Sequence, residues 1–575
     1  MTSERRVLLL AALLLSSSCG GGTLQRFPLQ EPMWVDPDER AFTPKPEVYY
    51  SPFAWDAANQ TIFRPLSRFF AVDPGGEATN VNAFDEVPSS SWFHNRAGMR
   101  ALALDEFVNA ACGDEPPLDP AEPWTVTDAK ADGANPGFVV DDPHGRRYLL
   151  KFDGTRQPER SSSADVIGSI LYWAAGYHVP CNRIVYFSPE QLRIGANAMA
   201  KKNGGGEAPL ERSHIDEVLQ KAVRDSDGRY RGMASRYVSG EPLGPWKYQG
   251  TRDDDPNDVV PHEDRRDLRG AYVLASWINH FDSREQNTLA MWITSDDGSG
   301  GHVRHNLVDF GDSLGSMWQW DVISRRLGHS YYLDVPYMLE DLLTLGLMER
   351  PWHEARLGPT GETLGYYDVR RFEPDAWRPG YPNPAFSRMT ERDAAWMARI
   401  VAQIPEGHVV AAVREAMIQD PIVRRELTRV LLGRREAILE RWLRKLSPLT
   451  HPKVVSTDAG AELCLRDLAV HADLWPWERR PYRARAWVHE RRRDRLEPVS
   501  LGTQVRRPPE WICVGLPEVT EADRERAAYL VVDVTGLYGA DDEQSRPARV
   551  HLYQLGPRRH VVVGLERPYE SGPPG

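Results

Sequence analysis

The sequence predicts an α+β fold of two lobes followed by a β-sandwich-like domain. Three observations carry that expectation. Between residues 124 and 238, apolar runs of strand length alternate with Gly, Pro and Asp turns. Between 264 and 446 the apolar residues recur at helical spacing, and from about 451 strand-like runs return. Strands, then helices, then strands again point to separate layers and not to a regular βαβ alternation. The chain has 575 residues, 41% hydrophobic and 26% charged, the balance of a folded soluble protein. A formal net charge of -12 gives a general nucleic-acid binder no support.

Taken in order, the first segment is 1–19. Arg5 and Arg6 precede the apolar run Val7 to Leu15, then Ser16 to Ser18, Cys19 and Gly20. A basic region, a short apolar stretch and small residues before a cut form an export signal. The run is too short to span a bilayer stably. Cys19 after small residues resembles a bacterial lipobox, although Ser16 stands where that pattern prefers Leu. The resemblance implies lipidation of Cys19, an anchor in the membrane, and a place in the cell envelope, at the periplasmic or outer-membrane face. Four further cysteines, at 112, 181, 464 and 513, form no C-x-x-C pair, so zinc chemistry gains nothing. A Cys464–Cys513 disulfide and buried free thiols fit the sequence equally.

Residues 20–115 are rich in Pro, Asp and aromatics and read as an extended segment laid over a core. A first lobe is expected over 116–245. Trp124 to Thr127 and Phe138 to Val140 are strands flanking Gly133 and Gly137, and Tyr148 to Phe152 follows a turn at Asp142 to Gly145. The helix expected near 162–175 takes its caps from Ser161 to Ser163 and its apolar stripe from Val166, Ile170 and Trp173. Strands at Arg183 to Phe187 and Met233 to Val238 complete the lobe. An acidic linker, Asp253 to Asp258, leads to a helical lobe over 246–450. Its helices are expected at 264–278, 393–404 and 421–446, the last opened by Asp420 and Pro421. A β-rich domain occupies 451–575, in which the Arg-rich stretch 479–495 reads as a solvated face.

The chemistry concentrates in two loops. His280 to Asn287 follows the helix that ends at Ile278, and Leu307 to Gly311 comes 20 residues later. Phosphoryl transfer needs a carboxylate to take the acceptor proton, which suits Asp282. It needs hard oxygen ligands for magnesium, which Asn287 and Asp309 supply. It needs cations for the phosphates and the developing charge, and Lys151 and Arg284 qualify. His280 is assigned a structural role.

On these residues the chain resembles the protein-kinase superfamily. His280-Phe281-Asp282, with Asn287 five residues after the Asp, is similar to the H-R-D-x-x-x-x-N loop, and Asp309-Phe310-Gly311 matches D-F-G. Arg284 stands where many protein kinases carry Lys. Lys151 looks like the third-strand lysine, with Asp165 preferred over Glu159 as its acidic partner. The resemblance spans roughly residues 120 to 450 and implies a two-lobed protein-kinase-like fold, ATP and Mg2+ as cofactors, and an unidentified hydroxyl-bearing acceptor. There is no clean G-x-G-x-x-G and no A-P-E, and an inserted hairpin tipped at 296–301 separates the two loops. These departures are similar to the atypical branches, among them lipid, HipA-type and secretory-pathway kinases. The rival expectations are a pseudokinase and an envelope scaffold without catalysis.

Overall fold

A computed structural model describes residues 26–570 apart from 73–74, 131–136, 202–206, 459, 477, 479, 491–494, 503, 508–509, 518–527, 538–545 and 557. The export signal, Cys19 and Gly133 therefore lie outside the described residues. The chain folds as two compact units: Met33–Pro448 with Leu468–Trp477, and Leu449–Asp467 with Glu478–Gly575 and the stretch that ends at Pro32.

The larger unit is mixed α+β. Its seven strands are β1 (Trp124–Lys130), β2 (Gly137–Asp141), β3 (Arg147–Phe152), β4 (Asn182–Phe187), β5 (Leu192–Lys201), β6 (Glu207–Pro209) and β7 (Tyr230–Arg236), in one sheet of order β4-β7-β3-β2-β1-β5-β6. Every pairing is antiparallel except β1 with β5. β3 is thus central, and its Lys151 sits opposite Gly137 on one side and Met233 on the other. A Cβ at Gly137 would fall 2.1 Å from the Leu150 carbonyl, so only glycine lets β2 approach β3 there.

The helix Arg160–Ala175 packs against this sheet and against the helix Glu406–Glu415. All its residues except Trp173 are buried, so it shows no polar stripe. Its start differs from the sequence expectation. Glu159, at φ 65°, precedes the first turn, and the serines stand inside it. Ser162 bonds Asp153 through its N–H and hydroxyl, and Asp153 is in turn paired with Arg231 at 3.0 Å.

Helices follow at Arg266–Ile278, Glu391–Ala402, Glu406–Glu415 and Pro421–Leu443 around a core with Trp277 and Trp396 fully buried. Three more strands, β8 (Glu241–Gly244), β9 (Thr288–Thr294) and β10 (Gly301–Leu307), form a small antiparallel sheet. β9 and β10 are the hairpin inserted between the two chemical loops. The expected acidic linker is instead a folded loop: Asp258 is buried, accepts from the Arg252 N–H and bonds His262 at 2.7 Å. Residues 33–115 are not uniformly extended, since helices form at Phe53–Ala58, Arg64–Phe70 and Leu104–Asn109.

The smaller unit holds β11 (Leu449–Thr457), β12 (Gly460–Asp467), β13 (Tyr482–Glu490), β14 (Arg495–Val499), β15 (Gln504–Arg507), β16 (Trp511–Gly515), β17 (Ala528–Gly536), β18 (Ala548–Gly556) and β19 (Arg559–Glu566). They make two antiparallel sheets, β11-β12-β16-β15 and β14-β13-β17-β18-β19. Arg480, expected in solvent, is buried against Asp467. Cys464 and Cys513 face each other across β12 and β16 and are disulfide-bonded, as are Cys112 and Cys181.

Candidate functional site

Three elements converge on Lys151. β3 delivers its ammonium into the interior, where Nζ lies 2.7 Å from Asp309 Oδ1 and 3.4 Å from Asp165 Oδ2. Asp165 projects from the Arg160–Ala175 helix one turn beyond its start. Its other oxygen accepts the Phe310 N–H at 2.8 Å, tying the helix to the Asp-Phe-Gly loop. Asp309 adopts φ 60°, a left-handed backbone that an L-residue holds only when its surroundings impose it. Burial works to lower the Lys151 pKa, but the charges of Asp165 and Asp309 overcome it and hold the ammonium protonated. Burial also pushes the Asp165 carboxyl up to about 6, against the pull of Lys151.

Two neighbouring residues shape this contact. Phe310 is fully buried and rests on the Arg160–Ala175 helix at Gly168, where a Cβ would come within 2.6 Å of its ring. Burying such a side chain contributes roughly 1.5–3 kcal/mol, which anchors the loop carrying Asp309. At Gly311 a Cβ would lie 2.8 Å from Ser161 Oγ, 3.1 Å from Asp165 Oδ2 and 3.3 Å from Asp309 Oδ1. The absent side chain is what leaves room for the carboxylates to meet.

The second loop is organised on Asp282. Asn287 Nδ2 donates to Asp282 Oδ2 and to its backbone carbonyl, each at 2.8 Å. Both bonds use the amide nitrogen, so Oδ1 remains as the acceptor of that side chain. Arg284 Nε lies 3.0 Å from Asp282 Oδ1, and its guanidinium stacks over Tyr381. Burial raises the Asp282 carboxyl to about 7, opposed by Arg284 and reinforced by the charges of Asp312 and Asp309. The two loops are joined directly, because the Val308 N–H donates to the Asn287 carbonyl at 3.0 Å. His280 is buried, packs on Phe310, and burial lowers its pKa to about 4, so it stays a neutral packing residue.

The structure therefore brings Lys151, Asp165 and Asp309 into direct contact, and Asp282, Arg284 and Asn287 likewise. Beside them opens a cavity of about 490 Å³, lined among others by Arg156, Arg160, Ser161, Asp312 and Trp318. No family model and no curated protein matches this chain. Among solved structures, the crystal structure of the golgi casein kinase is similar at 10% identity and a TM-score of 0.21, covering 56% of this chain and 84% of that chain. A likeness at that score carries no weight for the assignment below.

Two site residues escaped the sequence reading. Asp312 is one of them. Its carboxyl is raised by burial, drawn down by Arg160 and pushed up by Asp309, which makes it a fourth acid of the cluster. Its position directly after Asp-Phe-Gly was the available signal. Arg160 is buried and donates to the carbonyls of Gly311 and Ser313, pinning the segment after the motif. Nothing in its sequence context marked it, because its partners lie 151 and 153 residues away.

Proposed function

We propose that this chain is an atypical kinase-like phosphotransferase that moves the γ-phosphate of ATP to a hydroxyl acceptor, and that it is exported and anchored through a lipid on Cys19. One observation carries the reading: a buried lysine shared by a helix carboxylate and the Asp309 carboxylate, in backbone contact with an Asp282–Asn287 pair. Lysine held between carboxylates is oriented as well as charged, which suits a phosphate contact better than a solvated lysine would.

The donor set fits magnesium. Asp309, the Asn287 Oδ1 and the nearby Asp312 are hard oxygen groups, and the carboxylates outnumber the cations around them. Bound magnesium would neutralise phosphate charge and supply Lewis-acid polarisation. The protein's own part is positional and acid–base. Lys151 holds the phosphates, and Asp165 fixes Lys151 and the Phe310 backbone together. Asp282 takes the acceptor proton as the bond from phosphorus to the acceptor oxygen forms and the bond to ADP breaks. Asn287 holds Asp282 in register, and Arg284 offsets charge beside it. A carboxyl raised to about 7 by burial is well matched to proton abstraction near neutrality.

The test is incubation of the mature chain with labelled ATP and magnesium, scoring autophosphorylation in wild type against Asp282→Asn. Label in wild type that Asp282→Asn removes supports transfer. Nucleotide-and-magnesium stabilisation without label identifies a pseudokinase, and the absence of both identifies a scaffold.

A further inference from the structure

The helix Pro421–Leu443 carries a cation that the fold buries without a counter-charge. Arg434 is 5% exposed. Its guanidinium carbon lies 3.8 Å from the Phe372 ring centre and 4.6 Å from that of Tyr367, so aromatic faces hold its plane. It meets the Tyr367 hydroxyl, yet its Nε is buried with no hydrogen-bond partner. No carboxylate pairs with it among the described residues. Asp368 acts on it through charge alone, and that carboxylate is taken by the guanidinium and the N–H of Arg371. Burying an unpaired cation is far costlier than burying a paired one.

Arg434 lines a cavity of about 70 Å³ together with Asn279 and His329. Both bring donors that the chain leaves unused. Asn279 follows the helix Arg266–Ile278 in a left-handed backbone, at φ 57°. Its Oδ1 accepts from Trp377 Nε1 at 2.8 Å. An indole nitrogen can only donate, which fixes that atom as the oxygen and leaves the amide Nδ2 over. Nδ2 has no hydrogen-bond partner among the described residues. Burial, and then the charge of Arg434, lower the His329 pKa to about 4, so its ring is neutral and carries one N–H. Neither ring nitrogen is hydrogen-bonded among the described residues. Of the acids in the lining, Asp368 is held by Arg371 and Glu373 is exposed to solvent.

We propose that this cavity is a binding site for a small tetrahedral oxyanion, phosphate or sulfate, held by Arg434, Asn279 Nδ2 and the His329 N–H. A guanidinium fork matches two oxygens of such an anion, and its charge answers the buried cation. Water fills a space of this size, which is about two molecules' share of the liquid, but brings no charge to Arg434. A nucleotide is excluded, since ligands of that size need several hundred Å³. Asn279 immediately precedes His280, so the anion ties the helix Pro421–Leu443 to the start of the Asp282 loop. The site stands apart from the phosphotransfer reading and does not depend on it.

Equilibrium dialysis of the mature chain against radiolabelled inorganic phosphate, with chloride keeping the ionic strength constant, should show saturable binding that sulfate displaces. Arg434→Met should weaken it about tenfold or more, the scale of a lost charge-assisted hydrogen bond. Asn279→Asp keeps the shape and the acceptor for Trp377 but puts a carboxylate oxygen where the donor stood, and should weaken binding at least as much. Circular dichroism reads the fold of each variant. Arg193→Met, at an exposed arginine of β5, should leave binding unchanged. Phosphate that Lys151→Met releases while Arg434→Met retains it sits in the cleft beside Asp309, and overturns the proposal. No saturable binding by wild type overturns it too, as does binding indifferent to both Arg434→Met and Asn279→Asp. Selenate soaked into wild-type crystals needs no variant. Its anomalous signal should stand beside Arg434 and Asn279, and a signal found only elsewhere overturns the site.

Discussion

Where the helix Arg266–Ile278 meets the helix Glu391–Ala402, buried guanidinium groups and carboxylates are matched one against another. Arg266 reaches Asp85 and, at 3.1 Å, Asp393; Arg269 reaches Asp393 at 3.4 Å and Asp264 at 2.7 Å; Arg399 reaches Asp85 at 3.0 Å. In the cleft the balance is different. Asp165, Asp282, Asp309 and Asp312 gather around Lys151, Arg160 and Arg284, and burial lifts three of the four carboxyls above their ordinary range. The first cluster fixes the packing of two helices with forked, permanently charged groups. The second gathers an excess of acid beside the cavity that Asp312 lines, which costs stability and suits a cation-dependent reaction. Buried charge thus has two uses within one unit, told apart by stoichiometry.

That distinction can be broken most sharply at Lys151. Lys151→Met and Asp309→Asn should each reduce phosphate transfer by ~10³-fold or more, the scale seen when a group that stabilises transferring phosphate is lost. Circular dichroism should show both variants folded. A variant that loses transfer only because it unfolds would place Lys151 with the structural charges. The opposite behaviour is expected at Arg266. Arg266→Met leaves Asp85 and Asp393 short of a partner and should cost about 3–5 kcal/mol in urea unfolding, with magnesium-nucleotide stabilisation retained by the folded fraction.

Gly311 gives a smaller and more local effect. Gly311→Ala keeps an accessible backbone but puts a methyl against Ser161, Asp165 and Asp309. Moving carboxylates by a few tenths of an ångström should lower transfer by about 10- to 100-fold, with a stability loss of about 1–3 kcal/mol. Steady-state kinetics and thermal unfolding on the same preparation separate the two. Unchanged kinetics would mean that the carboxylates need not converge there.

These residues also mark what could be read in advance. The spacing from His280 through Asn287 to Asp309 is local and ordered, so the two loops, and that they would meet, were legible. Asp165 was chosen over Glu159 on helix placement, and the structure sets it 3.4 Å from Lys151. The failures share one cause: residue type and spacing do not say which partner will satisfy a polar group, whether that partner is near in sequence or far. The serines at 161–163 were expected as caps, but Asp153 draws Ser162 inside the helix. Arg480 carries no sequence mark of burial, because its partner Asp467 lies at the end of β12, before the turn that precedes Arg480. The Cys112–Cys181 bond spans 69 residues of chain. The Asp253–Asp258 stretch looked like a linker because acidic composition does not reveal that His262 and the Arg252 backbone satisfy Asp258.

The smallest effect is the most specific to the cleft. Burial disfavours the charge of Asp282 and raises its carboxyl from the ordinary 3.8 to about 7 in the folded chain. Between those values the folded chain binds more protons than the unfolded chain. Stability contributed by this group is therefore full below about pH 4 and falls as pH rises toward 7, by a few kcal/mol at most. Asp165, raised to about 6, adds in the same direction. Asp282→Asn removes a titrating group without changing its shape, so urea unfolding of that variant should fall less steeply across pH 4–7 than wild type. Transfer by wild type should move the other way, rising with pH through about 7 as the base ionises. Parallel unfolding slopes in the two proteins would show that Asp282 is solvated like a surface acid. Opposed trends of stability and rate across one pH window are what a carboxylate buried for chemistry, and not for packing, should produce.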